Sequence, residues 1–97
     1  MGFKPAEGKL VIEILDRYHE HGVTIPAVTR HLVGVGRVIR LHDAEANESE
    51  FDAEYQVGDI VVFELDDMLQ IKIDKHEYFI IDRFDLFGKI VEEDEEE

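Results

Sequence analysis

The residues of this chain best suited to metal chemistry are its histidines. His19 and His21 flank Glu20, and side chains two positions apart share one face of a strand, as two metal ligands can. However, no third ligand stands at a useful spacing, and the pattern is not the His-Glu-x-x-His of a metal-binding helix. The other histidines are scattered, at His31, His42 and His76. The sequence therefore argues against a metal site.

Catalytic and nucleotide-binding patterns are equally weak. Gly34-Val35-Gly36 begins like a dinucleotide-binding loop, but it lacks the third glycine and the helix that should follow. Ser49 is the only serine, and it stands in an acidic stretch. The chain has no cysteine, which excludes disulfides, thiolate metal sites and a cysteine nucleophile. We expect no catalytic residue, no metal and no cofactor, and a protein that is not an enzyme.

The charge is strongly acidic and unevenly distributed. The formal net charge is −14, and residues 92–97 are all acidic. Such a chain repels phosphate backbones, so nucleic-acid binding is disfavoured. We predict that residues 92–97 form a disordered, solvated tail behind a single domain of residues 1–91. Without a secretory leader or a membrane-length apolar run, a cytoplasmic location is expected.

Short apolar segments separated by turn signals predict an all-β protein. No long amphipathic helix is apparent, and a chain of this length supports one core. A barrel would hide the edges of the sheet, and so would pairing between subunits. Asp82 or Asp85 is expected to cap one helical turn late in the chain. The predicted strands are Leu10–Leu15, Arg37–Leu41, Ile60–Leu65, Leu69–Asp74, Glu77–Ile81 and Lys89–Val91.

Five segments, in order, resemble the GroES-like co-chaperonins, which are the small lids of chaperonin rings. No single segment is decisive, but their order along nearly the whole chain is specific. Lys9 to Ile14 resembles the family's first core strand, and Gly22 to Gly36 its mobile loop. Val57-Gly58-Asp59 and the apolar strand ending at Phe63 resemble its most recognisable stretch. Lys72 to Asp74 followed by Glu77 to Ile81 resembles its late hairpin, and Asp85-Leu86 with Ile90 to Glu92 its closing strand.

The resemblance implies a small irregular β-barrel with a mobile loop at residues 22–36 and a roof hairpin within residues 43–54. It implies a homo-heptameric ring in the cytoplasm that closes the folding chamber of a large, ATP-driven, GroEL-like chaperonin around an unfolded substrate. Carried over by position, the chaperonin-binding residues are Val23, Thr24 and Ile25. The subunit interface is expected at Leu10, Val11, Ile12, Ile90 and Val91. The roof would be lined by Asp43, Glu45, Glu48, Glu50, Asp52 and Glu54.

Three departures from the family pattern stand out. The segment after Ile25 is bulkier than usual, so Leu32 and Val33 are candidates to share the docking. The roof is so acidic that we predict an open or disordered apex at low salt. Asp66-Asp67-Met68 stands where the family often has an aromatic residue. These departures would suit a divergent viral member. The alternative hypothesis is a β-barrel binding module outside the chaperonin system, whose acidic loop contacts a basic partner.

Overall fold

The computed structural model describes residues 2–42, 55–66 and 68–91. Within these ranges the chain forms β-strands joined by loops and three short 3₁₀ turns. The strands are β1 (Lys9–Ile14), β2 (Val33–Leu41), β3 (Ile60–Glu64), β4 (Leu69–Ile73), β5 (His76–Asp82) and β6 (Leu86–Lys89). The 3₁₀ turns are Tyr18–His21, Ala27–Thr29 and Arg83–Asp85.

The strands form one antiparallel sheet in the order β4-β5-β1-β2-β3-β6. The all-β prediction is therefore confirmed. β1 lies between β5 and β2, so both of its backbone edges are paired within the subunit. β4 and β6 stand at the two ends of the sheet, and each has one neighbouring strand in the described part of the chain.

The main core lies on the face of the sheet that carries Phe63, which we call the inner face. Side chains two residues apart on a strand share a face, and the alternation in β1 and β3 brings apolar residues together there. Phe63 has no exposed surface. On β2, a Cβ atom at Gly34 would lie 2.8 Å from the Phe63 ring, and one at Gly36 would lie 3.3 Å from it. The main core consists of Leu10, Ile12, Val38, Val61, Phe63 and Ile81.

β2 begins earlier than the sequence predicted. The strand was expected from Arg37, with a loop continuing to Gly36, but the structure places Val33–Gly36 in β2, paired with β3. The reason is the large ring of Phe63, which fills the space that side chains at Gly34 and Gly36 would occupy. Glycine in a strand is typical of such close packing. The loop therefore ends at Leu32.

The β4–β5 hairpin forms an edge that is only partly buried. Asp74 and Lys75 connect the strands with positive φ angles of 55° and 72°, the conformation of a two-residue type I′ turn. The alternation in β4 predicted one dry face. However, Leu69 is 60% exposed and Ile71 is half-buried, because β4 ends the sheet and, among the described residues, is paired with β5 alone.

The third 3₁₀ turn confirms the prediction of one capped turn late in the chain. The Asp82 carboxylate accepts a hydrogen bond from the Phe84 amide (2.9 Å) and one from Lys9 Nζ (2.9 Å). Both bonds favour the charged form, and the Phe84 amide has the larger effect, so the pKa of Asp82 is lowered. Because Lys9 pairs with Asp82 across β1 and β5, this ion pair ties the turn to the sheet.

Candidate docking loop and subunit edge

Residues 16–32 form a long loop whose two ends are attached to the sheet. At its start, the Leu15 amide donates to the Val35 carbonyl (2.9 Å). At its end, the Leu32 carbonyl accepts from the Leu65 amide (3.0 Å). Two of the 3₁₀ turns lie within it, and between them Gly22 adopts the left-handed conformation that glycine tolerates best. Loop 16–32 is therefore a structured segment.

Loop 16–32 covers part of the outer face of the sheet, opposite the main core. Val35 points to that face, because its neighbours Gly34 and Gly36 approach Phe63 on the inner face. Val35 is nevertheless fully buried and lies outside the main core. A pocket of about 380 Å³ is lined by Glu20 and His21 of the first turn together with Ile60 and Ile90, so this turn lies against β3 and the segment after β6.

The three residues expected to bind a chaperonin differ in exposure. Thr24 is exposed and Val23 is half-buried. Ile25, the largest apolar residue of the three, is only 7% exposed, and its carbonyl accepts a hydrogen bond from Arg30 Nε (3.3 Å). In this conformation Ile25 presents almost no surface to a partner.

Two large apolar side chains of the loop that are well exposed lie outside that triplet. Val28, in the second 3₁₀ turn, is 76% exposed, and Leu32 is 46% exposed. The sequence singled out Leu32 as a candidate to share the docking but did not single out Val28. The signal in the sequence that could have indicated the exposed turn carrying Val28 is Pro26, because proline favours a turn.

The residues expected at the subunit interface fall into two groups. Leu10, Val11 and Ile12 are fully buried, and β1 is paired on both sides. In this fold they offer a neighbouring subunit neither side-chain surface nor a free backbone edge. Ile90 and Val91, in contrast, are exposed and follow β6 at the end of the sheet. Phe87 on β6 is 64% exposed and extends this apolar surface, which we call the β6 edge.

Other predicted sites lie partly or wholly outside the described residues. The roof, residues 43–54, and the tail, residues 92–97, fall outside the described ranges, as does Asp67. Within the ranges that are described, His, Cys, Asp and Glu side chains do not gather in any group of three or more that could hold a metal ion. His19 and His21 are exposed in the first 3₁₀ turn, and His21 faces the pocket beside Ile60.

The comparisons with known proteins agree with this architecture. The chain matches the family model described as "Chaperonin 10 Kd subunit" over residues 2–90. It is 32% identical over 92 residues to the co-chaperonin GroES of Pelagibacter ubique, and the alignment covers 91% of this chain and 96% of that protein. The chain therefore belongs to the chaperonin 10 (Cpn10) family of co-chaperonins.

Family membership confirms the main functional prediction. The protein is a co-chaperonin, and proteins of this family are not enzymes. The all-β sheet described above is the Cpn10 fold. In the part of the chain that the structure covers, no helix has the length and apolarity needed to cross a bilayer. A viral origin stays a hypothesis, and the relative named above comes from Pelagibacter ubique.

Proposed function

We propose that the chain assembles into a heptameric ring in the cytoplasm, where it closes the chamber of a GroEL-type chaperonin over an unfolded protein. The observation that best supports this proposal is the family match over residues 2–90, combined with an apolar sheet end at β6, which pairs with β3 alone within ranges 2–42, 55–66 and 68–91. A free strand edge flanked by apolar side chains is normally covered in a stable protein. In a cyclic ring each subunit can cover the edge of the next one.

The β6 edge is one side of the proposed contact between subunits. Its apolar surface comes from Phe87, Ile90 and Val91. We assign the opposite side to the segment of a neighbour that precedes β1, residues 2–8, because β1 itself is already paired on both edges. This arrangement keeps the expected pairing between the start of one subunit and the end of the next. It replaces Leu10, Val11 and Ile12 by residues 2–8 as the first half of the contact.

The proposed contact with the chaperonin is made by loop 16–32, through Val23, Thr24 and Ile25. Three side chains of this size gain at most about 1.5–3 kcal/mol each on full burial. Any part of the backbone that docking orders further costs roughly 1–2 kcal/mol per residue, so a single loop binds weakly. A ring presents several loops at once, and such avidity exceeds single-site affinity by about 10²–10⁴. Weak individual contacts also allow the lid to leave in each cycle.

Replacing Ile25 by Asp tests the loop assignment. A carboxylate has no favourable place in an apolar docking site, so we expect Ile25→Asp to form rings that no longer bind the chaperonin. The matched control is Ala27→Asp, which adds the same charge at an exposed position of the same loop outside the triplet. Ring mass and chaperonin co-sedimentation with ATP are the readouts. Binding of Ile25→Asp at wild-type strength would refute the assignment.

A further inference from the structure

The strand that carries the β6 edge is short and irregularly paired. β6 has four residues, and its register with β3 shifts between Val62 and Phe63. Among the described residues, β3 is the single neighbour of β6. Beyond the strand, the Ile90 amide donates one more bond to the Ile60 carbonyl (2.8 Å). Short segments with few backbone bonds at the end of a sheet open easily, so the β6 edge depends on its side chains.

Lys89, the last residue of β6, connects the strand to the segment before β3. Its Nζ atom donates to Asp59 Oδ2 (3.4 Å) and lies 5.2 Å from the centre of the Tyr55 ring. The lysine therefore makes an ion pair and a cation–π contact with the same short segment. The side chains of Lys89 and Asp59 are 32% and 26% exposed, so salt screens this pair less than it screens a fully exposed one. We call Tyr55, Asp59 and Lys89 the β6 clasp.

Asp59 can position Lys89 because its own place is fixed. Its carboxylate accepts a hydrogen bond from the Gln56 amide (2.9 Å), and its amide donates to the Gln56 carbonyl (3.1 Å). The Val38 amide donates to the Asp59 carbonyl (2.9 Å), and the Val38 carbonyl accepts from the Gly58 amide (2.8 Å). Val38 is fully buried in the main core. The β6 clasp therefore connects the end of β6 to the main core.

We propose that Lys89 is a positioning residue for ring assembly: through Asp59 and Tyr55 it fixes the β6 edge in the conformation that a neighbouring subunit binds. This inference rests on the proposed ring and on the place of the β6 edge in it. Lys89 stands between Phe87 and Ile90 along the chain, so the clasp fixes the middle of the apolar surface. A surface that is ordered before contact binds more tightly than one that must be ordered by the contact.

The expected loss at one contact is small, but a closed ring multiplies it. If the β6 edge is formed only part of the time, the apparent dissociation constant equals the intrinsic constant divided by the formed fraction. Exposed ion pairs and cation–π contacts each shift such an equilibrium by about twofold to fivefold. In the proposed heptamer, a loss of about twofold to fivefold at every contact lowers the overall constant of ring formation by about 10²–10⁵.

Two substitutions remove the ion pair of the β6 clasp from opposite sides. Lys89→Met removes the cation and keeps an unbranched side chain. Asp59→Asn removes the anion and keeps an oxygen that can accept from the Gln56 amide. Their matched controls are Lys72→Met on β4 and Asp66→Asn after β3, both at exposed positions. Lys89→Arg is the conservative variant, since a guanidinium can make both contacts of the lysine.

The first readout is the amount of ring at equal subunit concentration, measured by analytical ultracentrifugation near the midpoint of wild-type assembly. Lys89→Met and Asp59→Asn should both lose rings that Lys89→Arg and the two controls retain. The two substitutions change the net charge in opposite directions, so overall repulsion does not account for a shared loss. Rings of Lys89→Met as stable as those of Lys72→Met would overturn the inference. A loss in Lys89→Met with none in Asp59→Asn would also overturn it, because Lys89 would then act on the neighbour directly.

The second readout is hydrogen exchange of dissociated subunits, which separates positioning from general stability. Lys89→Met should speed exchange of the Ile90 amide several-fold and leave the Val38 amide unchanged. Equal acceleration of both amides would show that the whole fold is destabilised and would overturn the positioning role. A wild-type chain that is monomeric at every concentration would contradict the proposed ring itself, whereas wild-type-like rings of Lys89→Met would contradict this inference alone.

Discussion

Gly36 lies where three strands approach one another, and replacing it by alanine should destabilise the fold measurably. A Cβ atom at this position would lie 2.9 Å from the Glu13 carbonyl oxygen and 3.0 Å from Ile12 Cδ1. The first contact is with the backbone of β1, where Glu13 is paired with Arg37 of β2 and follows Ile12, which is paired on both sides, so the oxygen cannot move aside independently. The ring of Phe63 stands 3.3 Å away on the same face.

The size of the effect follows from two opposing terms. Alanine restricts the unfolded chain more than glycine does, which stabilises a protein by about 0.4–1 kcal/mol where the backbone permits it. Overpacking a filled core costs about 1–3 kcal/mol. The second term is larger, so we expect Gly36→Ala to lower the free energy of unfolding by about 1–2 kcal/mol. For a domain of this size that is a fall in Tm of roughly 4–15 °C.

Thermal unfolding at equal subunit concentration measures the effect, because assembly makes Tm depend on concentration. Gly2→Ala is the matched control, since a Cβ atom there has no neighbour within 4 Å. A Tm of Gly36→Ala within about 1 °C of the control would correspond to only a few tenths of a kcal/mol and would refute the packing argument. A wild-type-like Tm would also mean that β2 does not pass beneath Phe63 as described.

Three further predictions concern assembly and pH. Val91→Asp should dissociate the ring, because it places a charge on the β6 edge, whereas Leu69→Asp on the opposite sheet edge should not; analytical ultracentrifugation distinguishes the two outcomes. Assembly should strengthen as salt rises, because each subunit carries −14 and screening weakens repulsion; a dissociation constant that rises with salt would contradict this. Asp82→Ala should be less stable than wild type at pH 7. The pKa of Asp82 is lower in the folded protein than in the unfolded chain, so its charged form stabilises the fold at any pH above the pKa of the unfolded chain. That contribution is lost as the pH falls below about 4, so the two unfolding curves should converge in acid; a difference that persists there would contradict the ion-pair and capping role.

The sequence predicted most strands well because their signals are local. The last strand was an exception: it was expected at Lys89–Val91, but β6 spans Leu86–Lys89, and Ile90 and Val91 follow it. Runs such as Ile60 to Phe63 are long enough to read as buried strand, and Asp82 stood at the right distance to cap a short turn. The start of β2 was missed, because Gly34 and Gly36 have poor strand propensity when considered alone. They are needed there because of Phe63, which is distant in sequence, and a local pattern carries no record of that contact.

The candidate site was harder to predict, since it depends on which surfaces remain exposed. The apolar character of β1 suggested an interface at Leu10, Val11 and Ile12, but an apolar run indicates burial without indicating what buries it. The strand order places β1 in the middle of the sheet, which accounts for its burial within the subunit, and the subunit interface itself stays a prediction. The burial of Ile25 was likewise not predictable from a local pattern, because it depends on how loop 16–32 folds over the outer face.

The measurement that tests the central claim most directly is native mass spectrometry of the full chain at two salt concentrations, alone and with a GroEL-type chaperonin and ATP. A closed ring of about seven subunits that adds to the end of the chaperonin is the predicted result. A monomer at both salt concentrations that does not associate with the chaperonin would contradict the proposed lid.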